Sequence, residues 1–239
     1  MTTVQISDRF NDTTYLENNP TWHAEDAPWK ARQILKIINQ NKVVASEVCE
    51  VGCGSGEILV QLETLGLSAQ FQGFELSADA YAICEKRKSK TVNFALEDIT
   101  KSAKTWDVLL CIDVFEHVEN YIEFVRNLRP KSKNHIFHIP LDLSVSGIVR
   151  NRMIEVRKSV GHLHYFTAET ALSTLHDAGY EIVDHFFTAP FEPGGIKPNS
   201  TMARVLQVPR RIAYWLSPKW LARTIGGCSL MVLARPKDS

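Results

Sequence analysis

Val48-Cys49-Glu50-Val51-Gly52-Cys53-Gly54-Ser55-Gly56-Glu57 decides the fold of this chain. The apolar run at its start reads as a buried strand, and Ile58-Leu59-Val60-Gln61-Leu62 after it reads as a helix. Between them, three glycines spaced Gly-x-Gly-x-Gly let the backbone turn sharply and approach a ligand closely. The helix start offers free N–H groups and the positive end of a dipole. Such a strand-to-helix turn is a nucleotide-type ligand site in an open α/β sheet. A dinucleotide fingerprint needs Gly-x-Gly-x-x-Gly; here the third glycine comes one residue early, and position 57 carries Glu57.

The neighbouring runs repeat the theme of an apolar strand closed by a carboxylate. Residues 69–74 end at Glu75, 23 residues after Gly52, close to the spacing at which an acidic residue accepts hydrogen bonds from ribose hydroxyls. A helix-start charge before Ser77-Ala78-Asp79 is the competing explanation of Glu75. Residues 92–96 run into Glu97-Asp98-Ile99, and residues 106–112 into Asp113-Val114-Phe115-Glu116-His117-Val118. With Glu50 two positions before Gly52, these four strand ends in order resemble the class I S-adenosylmethionine-dependent methyltransferases. The resemblance covers roughly residues 28–187 and the last strand. It implies S-adenosylmethionine as cofactor, with binding positions at Glu50, Gly52, Cys53, Gly54, Glu75, Leu76, Asp98, Ile99, Cys111 and Asp113. In that family the residue matching Asp98 holds the adenine amino group, and the next backbone N–H, here Ile99, meets the ring.

Composition agrees with one enzyme domain. A chain of 239 residues can bury a substantial core, and its formal net charge of zero gives no global pull toward nucleic acid. The five cysteines include no Cys-x-x-Cys pair, and Cys49 and Cys111 fall within apolar strand runs, as core residues do. Met1–Arg9 lacks a basic-then-apolar signal pattern and no apolar stretch is long enough to cross a bilayer, so a cytoplasmic location is the expectation.

Strands and helices alternate from residue 47 to about 141, which predicts a doubly wound α/β sheet. Helices are expected at 28–40, with Pro28 in the first turn, and at 56–66, 77–89 and 117–128. Further strands fall at 135–140, 180–188 and 228–234. The family resemblance makes this a seven-stranded, mostly parallel sheet with the last strand antiparallel. Thr167-Ala168-Glu169-Thr170 has the hydroxyl and spacing of a capping box, and Gly179 closes the helix it starts. The expected organisation is a single domain. Residues 1–45 form an N-terminal lid or helix, 46–187 the core, 188–227 a helical insert or cap, and 228–239 the last strand and tail.

Methyl transfer is an in-line displacement, which a base assists when the nucleophile is a hydroxyl. His117, after the fourth strand, and His162 and His164, in the 161–167 segment, are the candidate bases; His138, inside a strand, reads as structural. A metal-assisted alternative stays open, because Asp113-x-x-Glu116-His117 resembles the ligand pattern of divalent-metal-dependent relatives, which add a later histidine. The fourth motif lacks the Asn/Asp-Pro-Pro-aromatic loop of enzymes that methylate exocyclic or amide nitrogens. It looks more like the small-molecule O- and C-methyltransferases acting on quinones, sugars, lipids or secondary metabolites.

Two flanking regions carry further expectations. Tyr15, Trp22, His23, Trp29 and Lys30 suggest a segment folding over the cofactor, with Lys30 near its carboxylate; a helix that only packs on the sheet is the alternative. The 188–227 insert holds Lys197, Arg204, Arg210, Arg211, Lys219 and Arg223, and no acidic residue occurs from Pro193 to Lys237. Tyr214, Trp215, Leu216, Trp220 and Leu221 are interleaved. This is either a helical cap with solvated arginines, or a surface for an anionic or lipid-linked small-molecule acceptor or an anionic membrane. Competing functions are a protein that binds S-adenosylmethionine without turnover and an NAD-dependent oxidoreductase.

Overall fold

The computed structural model describes residues 21, 22, 24–192, 195 and 201–237, the side chains of 201–204 and 206 aside. Seven strands form one sheet in the order β3-β2-β1-β4-β5-β7-β6. They are β1 (Glu47–Val51), β2 (Gln70–Glu75), β3 (Val92–Leu96), β4 (Trp106–Ile112), β5 (Ser132–Pro140), β6 (Tyr180–Thr188) and β7 (Ser229–Pro236). Strands β1 to β5 pair in parallel, and β7 enters antiparallel between β5 and β6. β1 and β4 are neighbours without being consecutive, so the winding reverses between them. Connections leave the carboxyl ends of these two strands in opposite directions, which opens the crevice where α/β sheets bind ligands.

Helices cover both faces, and for that reason the strands are apolar on both sides. They are α1 (Ala27–Gln40), α2 (Glu57–Thr64), α3 (Ala78–Cys84), α4 (Tyr121–Leu128), α5 (Val145–Val149), α6 (Arg152–Ser159), α7 (Ala168–Asp177), α8 (Thr201–Leu216) and α9 (Pro218–Thr224). Val48, Val108 and Leu110 point into one core with Ala31, Ile34 and Ile37 of α1. Cys49, Val51 and Cys111 point into the other, with Leu128, Leu175 and Leu221. The helix expected at 28–40 therefore packs on the sheet, with Pro28 in its first turn. Among the described residues no helix is long and apolar enough to cross a membrane.

Two local expectations are refined. The capping box at the start of α7 forms, but Thr170 closes it rather than an acid. Glu169 reaches instead to Lys219 and Arg223 of α9, at 3.0 and 2.7 Å. The helix expected over 117–128 is a 3-10 turn at Phe115–His117 followed by α4 from Tyr121. Its early turn is diverted because the Glu116 carbonyl accepts the N–H groups of Leu163 and His164, at 2.8 and 3.1 Å, instead of continuing a helical ladder.

His135 in β5 is a neutral core histidine. Its Nε2 donates to the Leu128 carbonyl at 2.9 Å, its ring lies between Phe137 and Tyr180, and burial pushes its pKa down to about 4. Above the unfolded-state value near 6.5 both states hold the ring neutral. Between that value and about 4 the unfolded chain alone takes up the proton, so stability falls as pH drops. The whole difference is on the order of 3 kcal/mol. Urea unfolding at pH 7 and pH 5 should show this loss in the wild type and a smaller one in His135→Phe; equal slopes would contradict it.

Candidate active site

The glycine turn after β1 has the backbone its sequence demands. Gly52, Gly54 and Gly56 all lie at positive φ, +62°, +54° and +74°. Two of the three serve different ends. A side chain at Gly56 would begin 2.4 Å from the ring of Phe94, so this glycine permits packing. At Gly54 the nearest atoms are the ring and carbonyl of Trp22, both 3.9 Å away, so this glycine keeps space open in front of the turn. The same geometry sets Trp22 of the N-terminal segment beside the turn. Tyr15 and His23, expected to share that role, lie outside the described residues.

Glu75 closes β2 and serves the turn directly. Its Oε2 accepts the Gly54 N–H at 2.8 Å, and its Oε1 accepts those of Leu76 and Ser77 at 2.7 and 2.8 Å. Burial raises its pKa against these three bonds. Cys53 donates its N–H to the Phe74 carbonyl at 3.1 Å, joining the turn to β2. Asp98, after β3, accepts from the Thr100 N–H at 2.8 Å, while the Ile99 side chain is buried. Cys111 is wholly buried in β4, so its thiol faces the core. Glu50 is 1% exposed, and its Oε2 has no hydrogen-bond partner within the protein. Burial and the neighbouring Cys84 hold its pKa well above the carboxylate range. A buried acceptor beside an open glycine turn fits the cationic amino-acid end of the cofactor that the sequence implies.

Asp113 lies at the end of β4 with φ +54°. Its Oδ2 pairs with the Lys30 ammonium at 2.8 Å and its Oδ1 with His138 Nδ1 at 2.6 Å. Burial pushes the carboxyl up, but the charges of His138 and Lys30 outweigh it and hold the group far below its usual range. Burial likewise pulls Lys30 down, and Asp113 more than restores it. Both oxygens of Asp113 are thus committed, and it does not join Glu116 and His117 as the third member of a ligand set. His138, which the sequence reading sets aside as structural, is one bond from this site.

The cluster that does form contains Glu116, His117 and His162, whose ligand-type atoms lie within 4.8 Å of one another. The backbone bonds from Leu163 and His164 to the Glu116 carbonyl dock the 161–167 segment here, and the rings of His117 and His162 meet edge to face at 4.8 Å. Glu116 is 0% exposed and neither carboxylate oxygen has a hydrogen-bond partner within the protein. Burial, then the charge of Asp113, raises its pKa well above the carboxylate range. His162 Nδ1 is held 2.6 Å from Asp142 Oδ2. His164 bonds through Nε2 to the Val118 and Glu119 carbonyls at 3.0 and 3.2 Å and lies against Tyr121, so it secures the segment. Asp142 escaped the sequence reading. It closes the strand ending at Pro140, and the strand-end carboxylate pattern of β2, β3 and β4 was the signal for it.

The insert sorts its side chains differently from the sequence expectation. Tyr214 and Leu221 turn inward, Tyr214 bonding the Phe187 carbonyl at 2.5 Å. Arg211 is tied to the Phe191 carbonyl at 2.5 Å, and Lys219 and Arg223 to Glu169, so these three are not free cations. Lys197 and the Arg204 side chain lie outside the described residues. Val205, Val208, Ile212, Trp215 and Leu216 are exposed at helical spacing on α8, Trp215 to 82%, with Trp220 exposed on α9.

Residues 23–185 match the model of a family described as a methyltransferase domain. A ubiquinone biosynthesis O-methyltransferase of Rickettsia canadensis is 35% identical over 107 residues, 42% of this chain and 45% of that protein. The matching part thus spans under half the length of this curated relative. Among solved structures, magnesium protoporphyrin IX methyltransferase from Synechocystis with bound S-adenosylhomocysteine superposes with a TM-score of 0.59 at 14% identity, covering 88% of this chain and 83% of that one. An N-methyltransferase from Bradyrhizobium japonicum, in complex with S-adenosylhomocysteine, gives 0.57 at 16% identity, over 95% of this chain and 100% of that one. At these identities the structures establish a shared fold.

Proposed function

The chain belongs to the methyltransferase-domain family, and on that premise we propose that it methylates a hydroxyl of a small-molecule acceptor, using S-adenosylmethionine. The Asp142–His162 pair carries this reading. A carboxylate fixing one imidazole nitrogen leaves the other able to take a proton, the arrangement of an oriented general base. The pair stands beside the turn after β4, where the His162 ring meets that of His117. When bound, S-adenosylmethionine supplies a methyl group on an electron-poor sulfur. The residues present fit it: Glu50 and Lys30 for its amino-acid end, the open turn at Gly54, Glu75 for the ribose, Asp98 and the Ile99 N–H for the adenine. His162 receives the hydroxyl proton on Nε2, Asp142 stabilises the resulting imidazolium, and Trp22 beside Gly54 excludes water. The relative active in ubiquinone biosynthesis favours a ring hydroxyl on a quinone-type acceptor. Radiolabelled S-adenosylmethionine with a fractionated cell extract is the test: label in a small-molecule fraction supports the reading. Cofactor binding without transfer to any fraction would favour a binding protein instead.

A second reading is favoured by Glu116. A buried carboxylate whose oxygens have no hydrogen-bond partner, with His117 Nε2 4.0 Å from one of them and His162 nearby, suits a divalent cation that lowers the pKa of the acceptor hydroxyl. Asp142 then orients His162 from outside the ligand set.

The exposed apolar face of α8 supports a lipid-linked acceptor met at a membrane surface. With Arg211, Lys219 and Arg223 engaged internally, Trp215 and Trp220 supply most of the affinity and Arg210 the charge preference. Wild-type protein should sediment with vesicles, more so as anionic lipid rises, and Trp215→Ser with Trp220→Ser should release it. Binding indifferent to both tryptophans and lipid charge would restrict the insert to soluble acceptors.

A further inference from the structure

We propose that His138 is a positioning residue for cofactor binding: through Asp113 it fixes the Lys30 ammonium where the carboxylate of the cofactor's amino-acid part meets it. This rests on S-adenosylmethionine being the cofactor.

His138 and Asp113 are tied twice. The Asp113 N–H donates to the His138 carbonyl at 3.0 Å, and the imidazole Nδ1 lies 2.6 Å from Asp113 Oδ1. Against an ionised Asp113, Nδ1 carries the proton and donates. Nε2 in turn bonds the Thr188 hydroxyl, 2.9 Å away at the end of β6. His138 and Thr188 are buried, so neither bond is shared with bulk water. The imidazole is therefore set from both nitrogens, and it presents one fixed donor to one oxygen of Asp113.

The consequence falls on Lys30. A carboxylate with a single partner can turn about its side chain; with one oxygen on His138 and the other on Lys30, Asp113 cannot. A lysine ammonium sits on a flexible four-carbon stem, and only a fixed partner gives it a fixed position. It has three donors, of which the Asp113 bond uses one, leaving it able to receive a second anion. Trp29, beside Lys30 on α1, meets the His138 ring edge to face with centroids 5.9 Å apart, so the β5 histidine steadies this turn of helix from a second side. The φ of +54° at Asp113 is a conformation that non-glycine residues keep where their surroundings over-determine it, and these bonds do so. A histidine needed only to fill space would be matched by phenylalanine; this one is defined by its two nitrogens.

Calorimetry on the full chain with two ligands separates positioning from mere structure. S-adenosylhomocysteine has the amino-acid carboxylate; 5′-methylthioadenosine keeps the adenosine and sulfur without it. His138→Phe should weaken S-adenosylhomocysteine by about tenfold, the scale on which loss of an outer-sphere partner is felt, and leave 5′-methylthioadenosine nearly unchanged. His138→Asn, whose amide nitrogen can stand in for Nδ1, should recover most of the affinity. If His138→Phe does not fold, Thr188→Val carries the test, with a smaller loss confined to S-adenosylhomocysteine. Equal loss of both ligands, or no selective loss in the folded variants, overturns the proposal. Failure of the wild type to bind either ligand would instead defeat the cofactor assignment, and this inference with it.

Discussion

Gly54→Val is expected to abolish binding of S-adenosylmethionine and S-adenosylhomocysteine in a protein that still folds. The backbone there sits at φ +54°, so a β-branched residue brings strain of about 1–3 kcal/mol, which a domain of this size can absorb. Among the described residues, its chain neighbours aside, the nearest atoms to the new Cβ are those of Trp22 at 3.9 Å, so the turn itself leaves room for it. What it fills is the room in front of the turn, and it disturbs the N–H that Gly54 gives to Glu75. Gly56→Val is the control with the opposite outcome: its Cβ would begin 2.4 Å from the Phe94 ring, so the fold should fail first. Melting curves and calorimetry on both variants give the answer. A folded Gly54→Val that keeps wild-type affinity removes this turn from the cofactor site.

That contrast marks how far the sequence could be read. Three closely spaced glycines after an apolar run require positive φ in a strand-to-helix turn, a local rule that needs no knowledge of distant contacts. The carboxylates closing β2, β3 and β4 were legible for the same reason, since strand ends of a parallel sheet converge on one edge. Glu75 accepts the Ser77 N–H at the start of α3, as its helix-start explanation requires, and also the Gly54 N–H in the glycine turn; its ribose role is part of the proposed function. What stayed hidden depends on contacts far apart in sequence. Lys30 meets Asp113 across the α1 and β4 elements, and His138 meets Thr188 across the inserted β7. A histidine within a strand run gives no sign of this, because alternation predicts which face it occupies and not what lies there. The docking of residues 161–167 on the Glu116 carbonyl is equally non-local, and it brings His162 to His117. Aromatic composition alone does not separate the inward and outward residues of α8, because helical phase decides which way each points. Trp215 and Tyr214 are adjacent in sequence and point in opposite senses.

The two catalytic readings part at Glu116, but both pass through His162. As a base oriented by Asp142, its replacement by alanine should lower methyl transfer by ~10²–10⁴ while S-adenosylhomocysteine binding survives, because a base acts on the acceptor proton and not on the cofactor. Asp142→Asn should fall between the two, since it keeps a polar partner for the ring but loses the charge that stabilises the imidazolium. His164→Ala should cost stability more than rate, its ring being spent on the Val118 and Glu119 carbonyls. The metal reading shares the first outcome and differs in the rest. A cation held by Glu116, His117 and His162 makes transfer sensitive to chelator and restorable by magnesium or manganese, and Glu116→Gln should then be as damaging as His162→Ala. Without a cation, burial favours the neutral form of Glu116, whose shape and donor glutamine reproduces. Glu116→Gln near wild-type rate, with full activity in chelator, therefore leaves the Asp142–His162 base. Loss of transfer in both, reversed for the wild type by added cation, leaves the metal. Undiminished transfer in His162→Ala would dismiss both, and catalysis would then rest on alignment and exclusion of water alone.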